Sequence, residues 1–146
     1  MCILAEPYLV HVVDDHKRAL LFKFRSGVAP LRIETGRYEA SRYGQKGLPV
    51  HERICLCCAN GVEDEEHVLC VCPVHSSMRS TLFQACNTLN ASIGEHNTWQ
   101  YIHVNEPSQV FLDLTKVHDA TIVNSLANFI WDIFRIREQR LKELNI

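Results

Sequence analysis

A chain of 146 residues with a net charge of −2 forms one domain with room for a real core, and its global charge commits it to no partner. Seven cysteines, six of them between positions 55 and 86, do not make a secreted disulfide framework and instead fit a metal in a reducing compartment, the nucleus or cytoplasm. No stretch reaches the length of a membrane span. The apolar run at 1–13 is broken by Glu6 and Pro7 and lacks a basic leader, so it does not read as a signal peptide.

The first predicted element is a helix over His16–Arg25, with Asp14-Asp15 as its cap and first turn and Gly27 as its stop. Its apolar residues are Ala19, Leu20, Phe22 and Phe24. Asp14-Asp15 follows Val12-Val13, which invites comparison with paired polymerase aspartates. Two-metal chemistry needs carboxylates converging from separate segments, so the capping role is the expectation. Residues 28–54 carry proline, glycine and many charges, and read as an irregular connector.

From His16 to Arg53 there are nine Lys or Arg against three Glu, a local balance of +6. Lys17, Arg18, Arg25, Arg32, Arg37, Arg42 and Arg53 are candidate phosphate contacts, with Tyr38 placed to stack on an unpaired base. These residues point to RNA or single-stranded DNA. The competing reading is a solvated face whose arginine stems cover apolar surface.

The region from Cys55 to Cys72 is the most specific signal in the chain. Cys55 and Cys58 form C-x2-C, and His67 and Cys72 form H-x4-C. Three thiolates and an imidazole make a closed tetrahedral shell suited to one structural Zn2+. Asn60-Gly61 supplies the turn that brings the chain back. Such a shell argues for a folding staple or a nucleic-acid knuckle, and against metal catalysis.

Cys70 competes for the fourth place, because residues three apart share a helix face. His67 with Cys72 requires the helix to end between them, as Pro73 would enforce. Cys57 lies inside the first pair, and free buried cysteines are the remaining alternative. The acids Glu63-Asp64-Glu65-Glu66 suit a helix N-terminus, and their face of the region should repel phosphate.

Helices are then predicted over His75–Leu89, Thr98–Val104 and Pro107–Leu114, with a polar loop over Asn90–Asn97. A long helix follows over Asp119–Leu144, with Asp119 as its expected cap, in which Ile122, Leu126, Phe129, Ile130, Ile133, Phe134 and Leu141 recur at three and four. Cys86 reads as a core thiol. Arg135, Arg137, Arg140 and Lys142 read as a solvated helix end. The expected class is mainly α: a small helical domain with an inserted Cys3His zinc module and a long C-terminal helix. Its parts are a basic N-terminal helix and connector (1–54), the zinc module (55–73) and a helical C-terminal region (74–146), together one compact unit.

The strings HKRALLFKFRSGVAPLRIETGRY, ERICLCC and VEDEEHVLCVCP resemble the zinc-binding segment near the C-terminus of non-LTR retrotransposon reverse transcriptases. The match covers about 60 residues and is loose after Arg79. The resemblance implies Cys55, Cys58, His67 and Cys72 as the ligands. Arg53 matches the arginine before the first cysteine, and Gly36, Arg37 and Tyr38 match the basic approach. It also implies RNA or DNA binding during target-primed reverse transcription. The matched region contains neither a palm nor an endonuclease, and Cys57 and Cys70 are additional thiols. The expectation is therefore a non-catalytic nucleic-acid-binding module. The alternatives are a structural domain that docks on a reverse transcriptase or another protein, and a remnant of such an element.

Overall fold

The computed structural model describes residues 6–39, 47–93, 107–115, 117 and 119–145. Its regular elements are helices, with no β-strand among the described residues. The helices are α1 (Pro7–His11), α2 (Asp15–Arg25), α3 (Arg32–Thr35), α4 (Ser76–Ile93), α5 (Pro107–Thr115) and α6 (Ala120–Glu143). No described helix is long and apolar enough to cross a membrane.

The long helix is the axis of the fold. Its cap is the predicted one, the Asp119 carboxylate accepting from the Ile122 N–H at 3.1 Å. Ile122, Val123, Leu126, Phe129, Ile130 and Ile133 bury one stripe of it, and α1, α2 and α4 all pack there. α5 lies against the turn His67–Val71 instead. One core runs through all three segments, joining Tyr8 and Leu21 to Val68 and Leu69 and to Ile130.

α2 starts where predicted, with Asp14 accepting from Lys17 N–H at 2.9 Å. That bond confirms Asp14 as a cap. Its buried face differs from the expected one. Leu21 and Phe24 are buried, Leu20 is half-buried, and Ala19 and Phe22 are exposed. The inward stripe runs Lys17, Leu21, Phe24, the i, i+4, i+7 row. Lys17 completes it by laying its stem along α6 and donating its ammonium to Asn128 at 2.7 Å.

Two other expectations are corrected. α1 went unpredicted because five residues carry too little periodicity to register. Tertiary ties hold it: Asn124 donates to the His11 carbonyl at 3.0 Å, and Arg18 donates to the Val12 carbonyl at 2.8 Å. α4 runs on to Ile93, so Asn90–Ile93 is helix rather than loop. Asparagine weakens a helix without breaking it, and the first glycine comes only at Gly94. The remainder of that loop and the helix expected at Thr98–Val104 lie outside the described residues.

The connector folds around Arg53. Its guanidinium donates to the carbonyls of Leu48 (2.9 Å) and Ile33 (2.7 Å), and its stem crosses Gly36. A Cβ on Gly36 would lie 2.7 Å from Arg53 Cγ and 2.8 Å from the Arg32 carbonyl oxygen. Gly36→Ala should therefore cost about 1–3 kcal/mol through overpacking, measured by chemical denaturation of metal-loaded protein. A neutral result would mean that both the Arg53 stem and the backbone at Arg32 can give way freely.

Candidate metal centre

The first half of the site is a tight loop. Ile54 and Val62 pair across an antiparallel bridge, and Cys55 N–H donates to the Gly61 carbonyl at 3.0 Å. Gly61 has φ +77 and Ala59 φ +55. Both are left-handed, and the first is a conformation that glycine adopts without strain. Cys55 and Cys58 thereby face the same side.

The second half is a helical turn. Asp64 caps it, accepting from His67 N–H at 2.7 Å. The helix does not end between His67 and Cys72 as expected. It widens into a π turn over His67–Val71, closed by a bond from Cys72 N–H to the His67 carbonyl at 2.7 Å. An i→i+5 bond brings residues five apart into register, where an ordinary α turn would not. The chain turns extended at Cys72, before Pro73, as the residue before a proline prefers.

These two halves bring Cys55, Cys58, His67 and Cys72 together. Their donor atoms all lie within 4.8 Å of one another. Cys58 Sγ is 3.4 Å from His67 Nε2, and Cys55 Sγ is 3.9 Å from Cys72 Sγ. Cys55, His67 and Cys72 are buried and Cys58 is half-buried. Hydrogen bonds from Cys57 and Cys72 hold the Cys55 thiol well below its usual range. Those bonds push Cys57 and Cys72 up in turn. One thiolate, at Cys55, is thus held by protonated neighbours, and the soft donors of the cluster can hold a metal ion.

The cluster takes Cys72 and not Cys70. Cys70 points into the core, where burial pushes its thiol up to about 12. Cys86 is a core thiol as expected, also pushed up by burial to about 12.

Three residues that fasten the site were missed by sequence reasoning. Glu63, fully buried, faces Arg137 of α6 at 2.5 Å, an ion pair rather than an aligned hydrogen bond. Its other oxygen accepts from Leu56 N–H at 2.9 Å. Arg137, expected on a solvated helix end, is 4 % exposed and also lies over the Phe134 ring. Arg79, on α4, donates to the carbonyls of Leu69 (2.6 Å), Cys72 (2.8 Å) and Val68 (3.3 Å), satisfying the end of the turn. Arginine in a helix reads as solvated by default, so the sequence offers no signal for either. The acidic run is likewise no continuous face: Glu63 is buried, Asp64 caps, and Glu66 accepts from Ser108 at 2.9 Å.

The predicted nucleic-acid residues are dispersed among roles. Arg18 pairs with Asp15, Arg25 with Glu6 while lying over the Tyr8 ring, and Arg32 with Glu39. Lys17 and Arg53 have the partners described above. Arg37 is exposed and pairs with Glu34 at 3.3 Å, and Tyr38 is 81 % exposed. Arg42 lies outside the described residues.

No family model matches the chain, and neither does any curated protein or solved structure.

Proposed function

We propose that this chain is a non-catalytic, zinc-stapled module that binds RNA or single-stranded DNA. The observation that carries the reading is the closed convergence of three thiols and one imidazole. That donor set suits Zn2+ and, once tetrahedral, leaves no position for substrate. Cys55, Cys58, His67 and Cys72 hold the ion, which orders the loop and the π turn around it.

The binding surface centres on Arg37 and Tyr38. The chain carrying them is anchored next to the metal loop: Gly36 sits under Arg53, two residues before Cys55, and Leu48 N–H donates to the Gly36 carbonyl at 2.7 Å. An exposed arginine beside an exposed ring suits a phosphate next to an unstacked base. The resemblance to the C-terminal segment of non-LTR reverse transcriptases supports the same reading, and the basic excess of the segment adds Arg42 as a further candidate contact.

A second reading has one observation in its favour. Lys17, Arg18, Arg25, Arg32 and Arg53 all have partners within the chain. That suits a structural domain in which zinc only orders the fold and which docks on a reverse transcriptase or another protein.

Fluorescence anisotropy with a short labelled RNA at several salt concentrations separates the two. Affinity should fall with salt through counterion release. Arg37→Gln should weaken binding and flatten the salt slope by about one unit. Tyr38→Ala should cost about 1–3 kcal/mol of binding. Absence of binding at low salt by folded, zinc-loaded protein would leave the structural reading standing.

A further inference from the structure

A cavity of about 540 Å³ opens where the connector, the metal loop and the long helix meet. Pro30, Arg32, Thr35 and Glu39 line it from the connector, Leu56 from the metal loop, and Arg137 and Leu141 from α6. Its volume is that of a small-molecule site, and its walls are mostly apolar, as in such sites. Leu56 and Leu141 are half-buried and Pro30 is exposed, so apolar surface stays open to a flat partner.

Both lining cations already face carboxylates. Arg137 is paired with Glu63, and Arg32 meets Glu39 through two contacts, Nη2 to Oε2 at 3.1 Å and Nη1 to Oε1. An isolated phosphate therefore finds no uncompensated charge here. The Arg32–Glu39 pair keeps hydrogen-bonding capacity all the same. A guanidinium has five donors and a carboxylate about four acceptor sites, and Arg32 Nε–H has no partner. That chemistry suits a neutral ring with donors and acceptors along one edge. The cavity also adjoins the surface assigned to the strand: Thr35 and Glu39 line it, while Arg37 and Tyr38 between them are exposed.

We propose that this cavity takes an unstacked guanine base from the strand bound at Arg37 and Tyr38. The inference rests on the nucleic-acid reading given above and adds a base preference to it. Single-stranded bases are read along their edges while their faces pack on side chains. Guanine carries two adjacent donors, N1–H and N2–H, that the two oxygens of Glu39 accept together, and its O6 beside them accepts from Arg32. Adenine, cytosine and uracil have no such adjacent pair of ring and amino donors beside a carbonyl. Pro30, Leu56 and Leu141 pack against the faces of the ring.

The test uses the full zinc-loaded chain and fluorescence anisotropy with a labelled oligouridine, compared with the same oligomer carrying one central guanosine, adenosine or cytidine. Wild type should bind the guanosine oligomer about 10-fold or more tightly than the oligouridine, the discrimination expected of a bidentate contact to a base, and the other two like the oligouridine. Glu39 is exposed, so Glu39→Gln leaves the core untouched. It replaces one of the two acceptors by a donor and should abolish the guanosine increment while oligouridine binding persists. Equal affinity for all the oligomers, a preference for another base, or a guanosine preference that survives Glu39→Gln overturns the proposal and leaves RNA binding standing. A Glu39→Gln variant that shifts every oligomer by the same factor also overturns it, because Glu39 would then act through its charge alone. A wild-type chain that binds none of them at low salt overturns the nucleic-acid reading and this inference together.

Discussion

Cys72→Ser is expected to strip zinc from the chain and unfold the region around it. Zinc binding by small Cys/His sites is worth roughly 10–16 kcal/mol, and that energy is folding energy. A whole domain is stable by only about 5–15 kcal/mol, so the loss is comparable with everything else that holds the fold. Cys58→Ser should behave alike. Cys57→Ser and Cys70→Ser should retain the metal, since neither sulfur belongs to the cluster that Cys55, Cys58, His67 and Cys72 form. Metal analysis of protein purified without added zinc should return about one equivalent per chain for the wild type and for these two variants. If Cys70→Ser lost zinc while Cys72→Ser kept it, the ligand set would be wrong. A zinc-free wild type with native-like helical circular dichroism would sink the metal reading altogether.

The second large effect is expected at Arg137. Burial pushes the Glu63 carboxyl up, while Arg137 and the Leu56 N–H pull it back towards the ionised form. Arg137→Met removes the only cation facing that carboxylate among the described residues. Breaking one side of a buried pair in this way costs about 3–5 kcal/mol. Combining it with Glu63→Gln should restore much of the loss, since the amide oxygen can still accept from Leu56 without carrying a charge. Arg140→Gln is the control: its pair with Glu143 is half-exposed, and such pairs contribute about 0–1 kcal/mol. Denaturation of zinc-loaded protein gives the cost of each of the three variants relative to the wild type. An Arg137→Met variant as mild as Arg140→Gln would mean that Glu63 is not sealed from water.

Much of this architecture was legible before any coordinates. Asp14 and Asp119 were readable as caps because a capping acid precedes an apolar rhythm at a fixed offset. The rhythm of α6 was readable because twenty-four residues repeat it many times. The four metal donors were readable because thiols at that spacing have few other uses. What stayed hidden depends on the partner rather than on the segment. Phe22 and Leu21 are equally apolar, and only contact with α6 decides which one is buried. Arg137 and Arg140 are chemically identical, and only Glu63 beneath the first distinguishes them. The π turn was hidden for a different reason. Nothing in HVLCV prefers it locally, and its widening is imposed by Arg79 and the cluster it completes.

The fastenings of the metal loop have a consequence for anyone who would move it. Residues 55–73 contain all four donors and look like a self-contained cassette. The guanidinium that caps their closing turn comes from Arg79 on α4, and the cation under their buried carboxylate comes from Arg137 on α6. Transplanted alone, the stretch would carry its ligands without the groups that set their geometry. His67 would be free to start an ordinary α turn, swinging position 72 out of line with it. The cassette is portable only together with the two helices that grip it.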